Sequence, residues 1–392
     1  MKKRDVKTCS VIIIHINEED THMKKTICKK ALGLFLTAAM VVGMAACGGS
    51  TTNTSSADTS SDSTANTSAA TEAAATSEAA VNDAVESAES SGAKVETIAL
   101  ILPGVITDQS WSQLAYEALE DLKNEGYSTA YTESVSAADA ETTFRTYADQ
   151  GYDLIIGHGS EFTEAAVTVA GDYPETYFFC TNKCPDGVTP PSNLGFCYCK
   201  EYEAAYACGV AAALMTESKT VGYLGGMEQA SQIADKNAFI DGVASVDSDI
   251  QVITVMSGSF DDSALGKEAA LSMIEQGADV LMHSCDTTGL GLIEACKENN
   301  VKFIGYGADQ KDLEPSLAIT SCIADTGMAI ESVIGKVGTD EFGSSWMPGM
   351  ADGVVFIGSF GDNVPQDVQD QVNQVVEQIK NGELVVENKD SE

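Results

Sequence analysis

From Thr97 to Leu102 every side chain after the first is apolar, and the run stops at Pro103-Gly104. So short and uniform a run predicts a strand buried on both faces, as in a parallel sheet. After a loop, Trp111, Leu114, Ala115, Ala118, Leu119 and Leu122 recur at the spacing that gathers them on one helical face. Ser110 and Gln113 fit a capping box at the start of that helix, and Gly126 fits its end. The unit repeats: Asp153–Gly157 with a helix from Thr163, Thr176–Cys180, Thr220–Leu224 with a helix from Ala230, and Gln251–Met256 with a helix from Asp262. Asp279–His283 with a helix from Thr288 follows, and then Lys302–Tyr306 with a loop into Leu317–Thr320. Alternation of this kind predicts an α/β protein built on parallel sheets flanked by helices.

The long helical segment Glu201–Glu217 falls between the third and fourth units and marks where the chain passes from one lobe to another. The expected globular part is 95–360, with a first lobe of 95–210 plus 322–360 and a second of 211–321. Residues 361–392 supply a C-terminal helix and tail. Parallel sheets bind ligands beyond the carboxyl ends of their strands. The loops to watch are therefore 103–112, 157–162, 181–184, 225–231, 257–262, 284–288 and 306–311, lining a cleft between the lobes.

Ahead of this region the pattern changes. Lysines at 24, 25, 29 and 30 precede the apolar run Ala31–Met44 and the small residues Ala45-Ala46 before Cys47. That is a signal-peptide design, with 23–46 removed and Cys47 carrying a lipid. A plain secretory signal or short anchor is the alternative. Residues 1–22 precede a second Met-Lys-Lys start and read as a mis-assigned start. Residues 47–94 are Ser, Thr, Ala and acids without an apolar face, a composition that makes a disordered tether.

The formal net charge is −37, and the segment before Cys47 is basic, so the rest is more acidic still. Such a field disfavours nucleic acid and anionic membrane surfaces. Of 11 cysteines, Cys180, Cys184, Cys197 and Cys199 resemble a metal set in number, but C-x3-C and C-x-C are not zinc-module spacings. Buried thiols fit better, and a Cys180–Cys184 disulfide stays open. The chain has no phosphate-binding lysine loop, nucleophile elbow, zinc-helix motif or full dinucleotide fingerprint. Nothing therefore calls for an enzyme, a metal or a cofactor.

The candidate ligand residues sit at strand ends. Trp111 offers a face for stacking on a planar ring, or else simply begins the apolar stripe of its helix. His158 and Asn182 follow strands, where a ligand hydrogen bond and an ordinary strand-end role both fit. Asp286 and Asp309 can accept hydrogen bonds from ligand NH or OH groups, or cap the next helix or turn.

Several motifs, taken in order, resemble the basic membrane protein family of substrate-binding lipoproteins, the purine nucleoside receptor A-like proteins. Asp108-Gln-Ser-Trp-Ser-Gln113 resembles the family's Asp-x-Ser-Phe-Asn-Gln, and Glu203-Ala-Ala-Tyr…Cys208-Gly209 its Glu-Ala-x-Tyr-x-x-Gly. Val169-Ala…Tyr173-Pro174, Gly222-Tyr-Leu-Gly-Gly226, Gly277-Ala-Asp-Val280, Thr287-Thr-Gly-Leu-Gly291 and Gly305…Asp309-Gln310 continue the series. The resemblance implies a type I periplasmic-binding-protein fold and capture of a purine nucleoside or base. It also implies delivery to an ABC permease and its ATPase by a monomer lipid-anchored on the extracytoplasmic face of the cell membrane. Carried over by position, Asp108, Ser110, Trp111 and Ser112 lie along one ligand loop, and Asp286, Thr287 and Thr288 line the opposite lobe. Members that grip ribose usually read Gly-Val-Asp-x-Asp-Gln, whereas Gly307 stands here for the first acid. A free base is then as good a ligand as a nucleoside. The rivals are a sugar or signalling-ligand receptor on the same fold, and a nucleoside hydrolase whose acid–base pair is not found in the sequence.

Overall fold

A computed structural model describes the backbone of Val11–His15 and residues 94–343 and 345–391. The expected signal peptide, the lipidated Cys47 and nearly all of the tether lie outside the described residues.

Strand β1 (Val11–His15) comes first, followed by β2 (Thr97–Ile101), β3 (Ser128–Thr132), β4 (Leu154–Gly157), β5 (Tyr177–Cys180) and β6 (Leu194–Cys197). Then come β7 (Thr220–Gly225), β8 (Gln251–Met256), β9 (Val280–Ser284), β10 (Lys302–Tyr306), β11 (Ala318–Ala324), β12 (Ser345–Trp346) and β13 (Val355–Ile357). They form a 6-stranded sheet in the order β12-β6-β5-β4-β2-β3 and a 7-stranded sheet in the order β1-β8-β7-β9-β10-β11-β13. The two lobes thus repeat one winding, since β3-β2-β4-β5-β6 and β8-β7-β9-β10-β11 have the same order. Central strands are apolar throughout because helices cover both faces: Ile98, Leu100, Ile155, Val221 and Leu281 are fully buried.

The helix Trp111–Glu125 closes on Gly126 at φ 110, as its sequence predicts. The expected capping box at its start does not form. Ser110 makes no side-chain cap, and Asp108 accepts instead from the backbone N–H groups of Ser110 (2.9 Å), Ser112 (2.8 Å) and Gln113 (3.1 Å). An ionised carboxylate with two oxygens outcompetes one hydroxyl for these donors, which frees Ser110 for another partner.

Two segments depart from the sequence expectation. Val355–Ile357, grouped with the first lobe, pairs antiparallel with β11 of the second sheet. The helix Glu201–Met215 packs on the helix Ala230–Val246 and on β11, and so belongs to the second lobe instead of running between the two. Its contact depends on glycine, since a Cβ on Gly242 would lie 2.1 Å from the Tyr206 carbonyl oxygen. Val11–His15 pairs parallel with β8 at the edge of the second sheet. Its β-branched run suits an extended chain, and β8 offers an open row of backbone donors and acceptors there.

The C-terminal helix Gln366–Lys380 places Val368, Val372, Val376 and Ile379 against the core by i, i+4 and i, i+3 spacing. All eight described cysteines of the globular part carry free thiols, and no group of three metal-binding side chains occurs among the described residues.

Candidate ligand cleft between the lobes

In each lobe the chain leaves its first strand to one side and returns on the other, which opens a crevice at the strands' carboxyl ends. The two crevices face each other and enclose a cavity of about 380 Å³. From the first lobe come Pro103 and Gly104 after β2, Gly159–Glu161 after β4, Thr181 and Asn182 after β5, and Tyr198 after β6. The second lobe contributes Met227, Gln229 and Gln232 after β7, Phe260 and Asp261 after β8, Asp286 after β9, and Tyr306.

Trp111, Asn182 and Asp286 therefore line the cleft, and the other sequence candidates stand apart from it. Asp108, 2 % exposed, is spent on capping. Ser112 is buried against Gly104, where a Cβ would lie 2.8 Å from its Oγ. Thr287 is outside the lining. Asp309 is exposed and holds the backbone N–H of Ser359 at 2.9 Å. His158 is fully buried beneath Trp111, with ring centroids 4.2 Å apart and planes at 20°. Its Nε2 donates to the Trp111 carbonyl (3.0 Å) and its Nδ1 accepts from Thr181 (2.9 Å). Burial pulls its pKa down to about 3, so the imidazole is neutral and both nitrogens are used. His158 thus supports one face of Trp111 and leaves the other to the cleft.

The lobes meet at Ser110. Its hydroxyl hydrogen lies between Asp286 Oδ1 at 2.8 Å and the Tyr306 carbonyl at 3.3 Å, both from the other lobe. Nearby, Gln310 donates to the Gln109 carbonyl (3.1 Å), and Ser160 donates to Gln229 across the cleft (2.6 Å). Gly307 explains why this seam can close. It has φ 79, and a Cβ there would sit 2.1 Å from Ser110 Oγ. The position where the family pattern carries an acid is filled by a serine of the opposite lobe.

The cleft is acidic. Glu161, Glu201, Asp261 and Asp286 contribute carboxyls, and no described lining residue is Lys or Arg. Burial, then the charge of Asp108, pushes Asp286 up to about 8 against the Ser110 hydroxyl and the backbone N–H of Trp111. The same two causes raise Asp261. Burial takes Glu201 up to about 7, opposed by the Tyr306 hydroxyl, which donates to both its oxygens (3.2 and 3.1 Å). Phe260, Asp261, Glu161 and Gln229 lie in loops the sequence marks, without a signal for the individual residue. Tyr198, just past β6, and Glu201, at the start of a helix that reads as a lobe crossing, lie outside those loops.

A family model described as "ABC transporter substrate-binding protein PnrA-like" matches residues 95–390. The chain belongs to the PnrA-like family. Among similar PnrA-like relatives is the "ABC transporter nucleoside-binding protein BmpA" of Lactococcus lactis, 27% identical over 77% of this chain and 92% of that protein. The "Putative ABC transporter glucose-binding protein TsgA13" of Haloferax volcanii is 30% identical over 77% of each chain. Among solved structures, an ABC transporter solute-binding protein of Aeropyrum pernix superposes with a TM-score of 0.67 at 21% identity, covering 74% of this chain and 93% of that one. That likeness shows the two-lobed periplasmic-binding-protein-like fold. As a PnrA-like protein the chain is an extracytoplasmic substrate-binding component of an ABC transporter and not an enzyme. No described helix is long and apolar enough to cross a membrane.

Proposed function

We propose that the protein captures a purine base or nucleoside in the interlobe cleft and delivers it to an ABC permease, tethered to the membrane through a lipid on Cys47. The carrying observation is Trp111, held from behind by His158, on the lobe opposite Phe260. Two aromatic side chains from different lobes suit a flat ring between them, and their closure on it couples binding to lobe closure. The acid-rich, lysine-free lining disfavours phosphorylated and carboxylated ligands, which supports a nucleoside or base over a nucleotide. With the place of the ribose-gripping acid taken by Ser110, a free base is as well served as its nucleoside.

A screen of thermal unfolding with nucleosides, free bases and simple sugars tests the reading. A true ligand at a hundredfold excess over its Kd should raise the midpoint by about 5 °C. Sugar-only shifts would move the assignment to a sugar receptor, the reading favoured by the name of the Haloferax relative. For the anchor, intact mass of the protein recovered from membranes should correspond to a chain starting at a lipidated Cys47. A mass that includes residues 23–46 would rule the anchor out.

A further inference from the structure

Behind the wall of the cleft lies a second carboxyl. Asp235, on the helix Ala230–Val246, is 1 % exposed, and its Oδ2 has no hydrogen-bond partner. The fully buried Tyr223 hydroxyl beside it points toward Ser284 without closing a hydrogen bond of good geometry. Burial, and after it the charge of Glu201, raises Asp235 well above the carboxylate range. Among the groups that feel the charge of Glu201 are Tyr306 on β10, Asp235, Asp286 beyond β9, Tyr198 and Cys199 after β6, and Cys322 on β11. Around Asp235 stand Tyr223 on β7 and Cys208 on the helix that carries Glu201. Not one of these can carry a positive charge. Two coupled, buried carboxyls with no cation among these neighbours cannot both ionise cheaply: Asp235 keeps its proton, and burial holds Glu201 part-protonated near neutral pH.

We propose that Glu201, backed by Asp235, reads the inner edge of the ligand and gives up a proton on binding, so that the cleft selects rings bearing two adjacent N–H donors. A carboxylate offers two parallel acceptors, the complement of an amidinium or of the N1–H and 2-amino group of guanine. An adenine edge, with a donor beside an acceptor, would instead need Glu201 to keep its proton. The inference rests on the cleft being the ligand site and adds the class of edge it prefers. In the binding step the carboxylic O–H of Glu201 breaks, its proton passes to solvent, and the two oxygens take the ligand's N–H groups.

The test is titration calorimetry of the full protein from pH 5.5 to 8.5, in buffers of different ionisation enthalpy, with guanine and guanosine against adenine and adenosine. Benzamidine serves as a planar amidinium outside the purine class. Affinity for the two-donor probes should climb about tenfold per pH unit up to about pH 7 and then level, with proton release. Glu201→Gln should flatten that profile, lower two-donor affinity about tenfold and leave adenine within about twofold. Two further variants guard against a merely structural effect, because only the second should move the midpoint. Asp235→Asn should leave it in place, because the acid it replaces keeps its own proton over this range, and Tyr306→Phe should raise it by removing the donor that steadies the carboxylate. Absence of a two-donor preference, including no binding by any probe, overturns the inference, as does an unchanged pH profile in Glu201→Gln. Benzamidine binding with proton release but no purine response would instead sink the purine reading and leave this one standing.

Discussion

Trp111→Ala is expected to weaken ligand binding about a hundredfold while the protein stays folded. One face of the indole lies on His158 at 4.2 Å, so its position is fixed before ligand arrives, and only the other face is open to the cleft. Stacking of a base on such a platform is worth about 1–3 kcal/mol, and preorganisation avoids the cost of immobilising the side chain on binding. Losing about 3 kcal/mol corresponds to about a hundredfold in Kd. Trp111→Phe, which keeps a flat face, should lose less than about tenfold. The comparison is a calorimetric titration of the three proteins at one pH. An alanine variant within about threefold of the parent would mean that the indole only begins the apolar stripe of its helix.

Gly307→Asp, which installs the acid of the ribose-gripping family pattern, is expected to open the seam between the lobes. The residue sits at φ 79, where a side chain is strained, and its Cβ would fall 2.1 Å from Ser110 Oγ. Backbone strain of about 1–3 kcal/mol and overpacking of a similar size together exceed what one hydroxyl–carboxyl bond holds. Ser110 would have to leave Asp286 and the Tyr306 carbonyl, and the closed form would lose its bridge. The expected readouts are a ligand affinity lowered at least about a hundredfold and a larger radius of gyration in the presence of ligand. Ser110→Gly in the same chain should restore part of the affinity by clearing the space. Unchanged affinity and radius in the single variant would show that the seam tolerates a side chain. A gain confined to nucleosides would show that the acid reaches the ribose.

The strand and helix rhythm, the two lobes and the loops that face the cleft were all legible along the chain. Each rests on a short-range pattern, because burial on one or both faces leaves a local period of apolar positions. Trp111, Asn182 and Asp286 could be picked out on the same ground, since a residue just past a buried parallel strand lies at the carboxyl edge of its sheet. That logic gives position and not direction. Ser110 read as a helix cap, but with Asp108 taking the helix N–H groups its hydroxyl turns to the other lobe. His158, for which a ligand hydrogen bond and a strand-end role both fit the sequence, lies beneath Trp111 with both ring nitrogens bonded inside its own lobe.

The amino-acid sequence alone determined the α/β class, the family pattern, the acidic balance and the glycine at 307. Tertiary structure alone decided what that glycine admits and which carboxyls burial pushes above their usual range. Glu201 and Asp235 carry no mark of their pairing, because the cost of ionising them comes from the low-dielectric space that several distant segments build around both. Hydrophobic period is a property of neighbours along the chain, whereas the charge state of a buried acid depends on neighbours in space.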